Sequence, residues 1–416
     1  MRIVLLECKK VIMSPVIIGL FLLFTAFNLL VIFNSSDHRE ELKIVNEIID
    51  TYGREITPSS LELFKIDIQN DLLELEQLSG KRYDSVYDFL EGLDMEAYER
   101  YSEKEKTFIS QLQLKEMYES TASSIDENYA KIDIEKFGQT SLEMYQVSGQ
   151  AAKTYLAENE KFAKRFEEMI QNGEHKQWFF AGKAYMMHTF LFKNIFLQMT
   201  IEILLLVVLS TAFLATYEFE QRSHLVTFST RRGRKLLLDK LAASLAMAVA
   251  IAALVLGSTL GVFFMVFDYS HVWETSISSA FNWEYNFPNV AWWDLSVGQF
   301  LLAVIGMLFI AILLFSGLTF AISILVKNSY ITFFLVAAGF ILLYMLPGFI
   351  PHSSNWVFAV GYTLPTLVMA IPGLFMGSSG LIFFKNFEWV TISAWTVFTI
   401  ITLVISYRRF AKLDIQ

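Results

Sequence analysis

The sequence predicts an all-α polytopic membrane protein with six transmembrane helices, both termini cytoplasmic, and an α-helical extracytoplasmic domain. Three observations predict it. Of 416 residues, 54% are hydrophobic and only 18% charged, with a mean hydropathy of +0.43; soluble chains carry about 25% charged residues. The apolar residues are clustered, because Val11–Phe33, Leu241–Phe267, Leu295–Val326 and Asn328–Phe384 hold no Asp, Glu, Lys or Arg. The charge is divided by region: 34–189 carries 31 acidic and 18 basic side chains, the rest 11 and 15. An acidic segment of domain size therefore sits inside a mildly basic membrane protein. Soluble enzymes, disordered chains and disulfide frameworks are excluded, and no basic domain is present to neutralise a nucleic acid.

Taken in order, Val11–Phe33 is long enough to cross a bilayer, which needs about 20 apolar residues. It lacks a small-residue cleavage site and reads as a retained first helix. The basic residues near the spans set orientation. Arg2, Lys9 and Lys10 precede the first span; Arg222, Arg231, Arg232, Arg234, Lys235 and Lys240 fill one loop; Lys327 marks another; Arg408, Arg409 and Lys412 close the chain. All fall on the cytoplasmic side if the spans lie near 12–33, 195–217, 241–267, 298–326, 330–349 and 389–407. The chain then divides into a cytoplasmic entry helix and first span (1–33), a helical extracytoplasmic domain (34–189), and five further spans (190–416). The last part includes the cytoplasmic loop 218–240 and re-entrant helices over 350–386. Re-entry follows because three crossings of the uncharged stretch would need about 60 residues without turns. Pro347, Pro351, Pro365 and Pro372 also break it into short pieces.

In the inserted segment, Leu61, Phe64, Ile68, Leu72, Leu75 and Leu78 recur at helical spacing, with Ser59 or Ser60 as cap and Gly80 as stop. A second helical run is expected over 139–172, continuing into the second span, with Leu142, Tyr145, Tyr155, Phe162, Phe166 and Met169 inward. The segment reads either as a rigid spacer or as a gate or receptor. A single cysteine, Cys8, forms no internal disulfide, and a cysteine-free exported domain suits the bacterial plasma membrane. The loop 268–297 carries Tyr269, Trp273, Phe281, Trp283, Tyr285, Phe287, Trp292 and Trp293, rings expected at the headgroup level as an interfacial belt or along an exit path for amphipathic cargo.

Chemistry has few places to sit. There is no P-loop, HExxH, GxSxG or CxxC, and the six histidines form no pair at metal-ligand spacing. Neither catalytic residues nor a cofactor or metal site is expected. Glu202 is the one acid inside a predicted span. A central charge costs roughly 3 kcal/mol to insert, so it should face protein or water, either lining a cavity or hydrogen-bonding a neighbouring helix or dimer mate.

The stretch from Tyr217 to Leu245, YEFEQRSHLVTFSTRRGRKLLLDKLAASL, is the most informative. Positive-inside bias and anionic-lipid contact explain its bases, but not the apolar Leu225, Val226 and Phe228 between acids and bases. Here the chain resembles the permeases of ABC-2-type transporters. In that family a glutamate-bearing turn ends the second span, then come a short coupling helix, a Ser/Thr-Pro and arginine element, and a Leu-Leu-x-Lys entry into the third span. Glu218 or Glu220 matches the glutamate, Ser229-Thr230 the Ser/Thr-Pro place, and Leu237, Leu238 and Lys240 the entry. Glu7, Lys9, Lys10, Ser14 and Pro15 look like the amphipathic entry helix. The chain departs from the pattern in having Gln221-Arg222-Ser223 after the glutamate, no proline at Thr230, and Gly233 at the arginine position.

The resemblance implies a permease that dimerises, as a homo- or heterodimer, and binds ABC ATPase subunits through Glu218, Glu220, Arg222, His224, Leu225, Phe228, Arg231, Arg232 and Arg234. ATP and Mg would be bound by the partner subunits and not by this chain. Membrane lipid is the remaining expected partner, and the cargo would be a hydrophobic or amphipathic compound such as an antimicrobial peptide, drug or lipid. The alternative is a membrane sensor or structural protein whose outer domain binds a ligand or envelope component. It predicts that deleting 36–186 abolishes function while changes in the loop do little.

Overall fold

A computed structural model describes residues 2–180, 189–229, 233–284 and 287–412. The chain starts with α1 (Arg2–Ile12) and α2 (Pro15–Asn34), joined at Ser14, with proline in the first turn of α2, where no backbone donor is needed. The inserted domain follows as α3 (His38–Tyr52), α4 (Pro58–Ser79), α5 (Val86–Glu91), α6 (Met95–Tyr98), α7 (Glu103–Ala130), α8 (Ile134–Met144) and α9 (Gly149–Gln171). A π-helical stretch, Thr189–Phe196, leads into α10 (Leu197–Glu220); α11 (His224–Ser229) is a short helix, and α12 (Leu236–Val266) and α13 (Val297–Val326) are long ones. Then come α14 (Ser329–Met345), the short α15 (Trp356–Ala359) and α16 (Leu364–Met369), and α17 (Phe387–Lys412). A hairpin of two residues per strand, β1 (Trp283–Glu284) with β2 (Phe287–Pro288), is the one paired sheet among the described residues.

Six helical segments are long and apolar enough to cross a membrane: α2, the α10 segment from Thr189, α12, α13, α14 extended by a 3-10 turn to Phe349, and α17. Their order matches the six expected spans. The α10 segment is the central post, with 78% of its apolar window buried, against 11% for α14 and 17% for α2 and α17. The last three therefore present apolar faces to lipid or to another chain. A side chain on Gly317 would meet Thr399 at 2.8 Å, so glycine permits the close approach of α13 and α17. Between α13 and α14 the turn is two residues: Lys327 adopts a left-handed φ of 60°, and the Asn328 side chain accepts from Ile331 N–H at 2.9 Å.

Within the inserted domain, Phe64, Ile68 and Leu75 of α4 are buried. The cap is Thr57, one residue before Pro58, with the Ser60 hydroxyl closing a reciprocal box; Ser59 does not cap it. Gly80 ends the helix in the left-handed conformation. The run 139–172 is two helices, broken at 145–148, with positive φ at Gln146 inside the break and at Gly149, the first residue of α9. Tyr155, Phe162, Phe166 and Met169 are buried as expected from their spacing. The last domain helix does not run on into the second span. Gly173 turns the chain at φ +72°, and residues 174–180 return to pair with 54–56, Ile56 N–H donating to Lys176 O at 2.9 Å and Trp178 N–H to Arg54 O at 3.0 Å.

Several rings of the aromatic loop 268–297 pack on the inserted domain, while Tyr269 and Trp273 pack on Phe264 of α12. Phe281 packs on Trp178 at 5.5 Å and Tyr118 at 5.6 Å, Phe287 on Phe137 at 4.0 Å, and Trp292 on Phe162 at 5.5 Å. Tyr285 lies outside the described residues. The rings are drawn inward because the domain offers them aromatic partners and because polar groups fix the loop: Arg165 Nε donates to Ala291 O at 3.0 Å while its other nitrogens hold the buried Glu174 at 2.8 and 2.5 Å. Segment 350–386 is broken into α15, α16 and 3-10 turns, and it grips the domain. Ser148 N–H and Gln150 N–H, at the start of α9, donate to His352 O and Ser353 O, each at 3.1 Å. These carbonyls satisfy donors that a helix start leaves open.

Candidate functional site

The end of the bundle away from the inserted domain gathers the residues singled out by sequence. Glu218 lies in the last turn of α10 with its carboxylate 6% exposed, and it faces two lysines. Lys240, in the second turn of α12, is fully buried; it pairs with Glu218, donates to Leu214 O, and stands 3.6 Å from Glu7. Lys10 of α1 closes the square, 2.7 Å from Glu7 and 3.0 Å from Glu218, with its ammonium 4.3 Å from the Tyr217 ring centre. Burial opposes the charge on Lys10, but its hydrogen bonds to Glu7 and Glu218 outweigh burial and raise its affinity for a proton. Two acids and two bases thus meet in a site that is buried at Glu7, Glu218 and Lys240 and partly open at Lys10, joining the entry helix to the second and third spans.

Glu220, two residues on, points elsewhere. Its Oε1 accepts from Ser329 N–H at 2.6 Å and from the Thr216 hydroxyl at 3.2 Å, so it satisfies a free donor at the start of α14. Arg222 then reverses the chain at φ +54° and is exposed.

The short α11 is held by rings. His224 stacks on Phe219 at 5.1 Å; Phe228 is buried between Phe219 at 5.6 Å and Phe410 of α17 at 5.2 Å, and Lys327 sits over the Phe219 ring at 5.4 Å. Leu237, Phe320 and Ile324 complete this cluster. On the other face of α11, Leu225 and Val226 are 50% and 74% exposed. The helix is thus fastened on one side and apolar on its open side. Gly233 has φ +42°, and a Cβ there would lie 3.0 Å from Phe228 O, which explains a glycine at that position. Arg231 and Arg232 lie outside the described residues, as does the side chain of Arg234.

Glu202 belongs to a separate polar group inside the bundle. It accepts from Asn28 of α2 at 2.8 Å and from Gln198 at 3.3 Å; Asn28 also meets Thr259 of α12 at 3.2 Å and Gln198 at 2.6 Å. Glu202 is 5% exposed and bonded to a neighbouring helix. An apolar cavity of ≈350 Å³ lies nearby between α10, α13 and α14, lined among others by Leu204, Leu205, Val208, Phe315, Phe333 and Phe340.

The structure brings Glu218, Glu220, His224 and Phe228 to one end of the bundle and keeps Glu202 apart. Sequence reasoning had not joined Glu7 and Lys10 to Lys240, nor seen Phe410, Asn28 and Gln198. A lysine at the edge of one apolar run, and amides inside others, were the available signals. Comparison with family models, curated proteins and solved structures finds no match for the chain.

Proposed function

We propose that this chain is the permease subunit of an ATP-driven transporter of ABC-2 type in a bacterial plasma membrane. In this reading both termini and the loop 218–240 are cytoplasmic, and residues 34–189 with the 350–386 segment face outward. ATPase subunits dock on the loop and bring ATP and Mg; a second permease copy completes the transporter. The observation that carries the reading is the fastening of α11. One short helix, apolar on its open face, rests through Phe228 on Phe410 of α17 and through His224 and Phe228 on Phe219 of α10, whose last turn carries Glu218 to α1 and α12 and Glu220 to α14. A push on such a helix would bear directly on α10 and α17, and through the last turn of α10 on α1, α12 and α14.

Differential binding is what makes the push useful, since a partner shifts a conformational equilibrium only by binding one state better. ATP-bound partners would prefer one tilt of the loop and released partners the other. The apolar cavity and the exposed faces of α2, α14 and α17 support export of a hydrophobic or amphipathic compound such as an antimicrobial peptide, drug or lipid. The reading is tested by purifying the tagged chain from its host in mild detergent. A stoichiometric nucleotide-binding subunit should come with it, and Arg231→Glu/Arg232→Glu should abolish transport while leaving the chain in the membrane. A folded preparation without such a subunit would overturn the proposal.

A further inference from the structure

Helix α4 is apolar on two faces. Phe64, Ile68 and Leu75 fill the domain core. On the opposite side, Leu63, Ile66 and Leu73 are 57%, 45% and 52% exposed. Six large apolar side chains are exposed in the described part of the inserted domain, the others being Tyr87, Met144 and Leu156, so half of them lie on this one line. With Asn70 and Gln77 they recur at spacings of 3, 4, 3 and 4, the seam of a helix that packs against another helix. The seam runs about 21 Å at 1.5 Å per residue.

The flanks of the seam fix what can lie on it. Asp67 and Glu74 border one side, Glu62 and Glu76 the other, by the angular order of helix positions. The only base on α4, Lys65, is turned away to Glu119 of α7 at 3.3 Å. A second copy packed seam to seam would set these acids against their equivalents, and like charges at such flanking positions are selected against. An anionic membrane surface meets the same objection. We infer that this face of α4 is a docking surface for an amphipathic helix with apolar residues at 3-4 spacing and Lys or Arg on both flanks. The inference does not depend on the permease proposal, since it uses only the inserted domain.

The test uses the full chain in nanodiscs of zwitterionic lipid and a labelled 21-residue peptide with Leu at 3-4 spacing and Lys on the flanks, read by fluorescence anisotropy against empty nanodiscs. Saturable binding is expected. Leu63→Asn/Leu73→Asn should weaken it by about tenfold or more, and Glu62→Lys/Glu74→Lys should abolish it. A scrambled peptide of the same composition, or one with Glu in place of Lys, should bind the unaltered protein much more weakly. These peptide controls require no protein variant, and the substituted residues are exposed, so an unchanged thermal midpoint is expected for each variant. Equal binding of the scrambled or acidic peptide would overturn the inference, as would no saturable binding. Self-association of the unaltered protein that Leu63→Asn removes would assign the face to a second copy and overturn it too. A chain that binds the peptide but recruits no ATPase would keep this inference and lose the permease reading.

Discussion

Replacing Lys240 by methionine removes one charge from the buried square and leaves the side-chain volume nearly filled. Lys240 is fully buried, and Glu218, its partner, is 6% exposed. After the substitution Glu7 and Glu218 share Lys10 alone, at 2.7 and 3.0 Å, and the site carries one uncompensated negative charge. Breaking a buried pair from one side costs about 3–5 kcal/mol, whereas replacing both partners by neutral groups can be close to neutral. Lys240→Met alone should therefore destabilise by about 3–5 kcal/mol. The double variant Lys240→Met/Glu218→Gln, which leaves only Glu7 with Lys10, should recover at least about 2 kcal/mol of that loss. Reversible unfolding of the purified chain in mixed detergent, followed by tryptophan fluorescence, measures all three. A single variant within about 0.5 kcal/mol of the unaltered protein, or a double variant no better than the single, would refute the claim that the charges around buried Lys240 compensate one another.

Other variants probe the remaining contacts. Phe228→Ala empties a ring site between Phe219 and Phe410; a loss of about 3–5 kcal/mol in the local packing of α11 is expected, read as faster proteolysis between 222 and 235, and transport should be uncoupled without loss from the membrane. Glu220→Ala deprives Ser329 N–H of its acceptor and should raise amide exchange at 329–332, at a cost of about 1 kcal/mol. Glu202→Gln keeps an acceptor for Asn28 and should change stability by less than about 1 kcal/mol, whereas Glu202→Leu should cost about 1–3 kcal/mol in the same unfolding assay. His175 is buried, and burial together with neighbouring Lys176 lowers its proton affinity. The unfolded chain then binds a proton that the folded one refuses, so the contribution is complete above about pH 6.5 and is lost as pH falls below it; the thermal midpoint should drop between pH 7.5 and 5.5 by less in His175→Gln than in the unaltered chain.

The six spans were legible because an uncharged run of 20 or more residues has one economical structure in lipid. Basic residues near the ends ordered them. The cluster around Glu218 was half legible: Glu7, Lys10, Glu218 and Lys240 each stood out as charges beside apolar runs, but their meeting depends on how three helices cross, and spacing along one helix carries no such information. The same holds for Asn28, Gln198 and Glu202. The aromatic loop was ambiguous for a physical reason. Tryptophan and tyrosine favour both the bilayer interface and a packed interior with polar handles satisfied, and spacing along the chain does not show that Trp178, Tyr118 and Phe162 of the domain face Phe281 and Trp292. In α4, periodicity found the inner face and passed over the outer one, because a search for a single apolar stripe stops at the first.

The packing of the domain also changes which experiment separates a transporter from a sensor. Deletion of 36–186 would seem to favour a sensor if function were lost. Yet that deletion removes Trp178, Tyr118 and Phe162, on which Phe281 and Trp292 rest, and it strips the start of α9 from His352 and Ser353. Loop 268–297 and segment 350–386 would be left with bare apolar surface, and function would fail under either reading. The loop at the other end has no such ambiguity. Arg231→Glu/Arg232→Glu changes charge with no buried ring removed, and Phe228→Ala loosens one short helix whose open face carries Leu225 and Val226. A receptor that signals without an ATPase should tolerate the charge reversal. A permease driven through α11 should not, and its ATPase partner should turn over ATP at an undiminished or raised rate while transport stops.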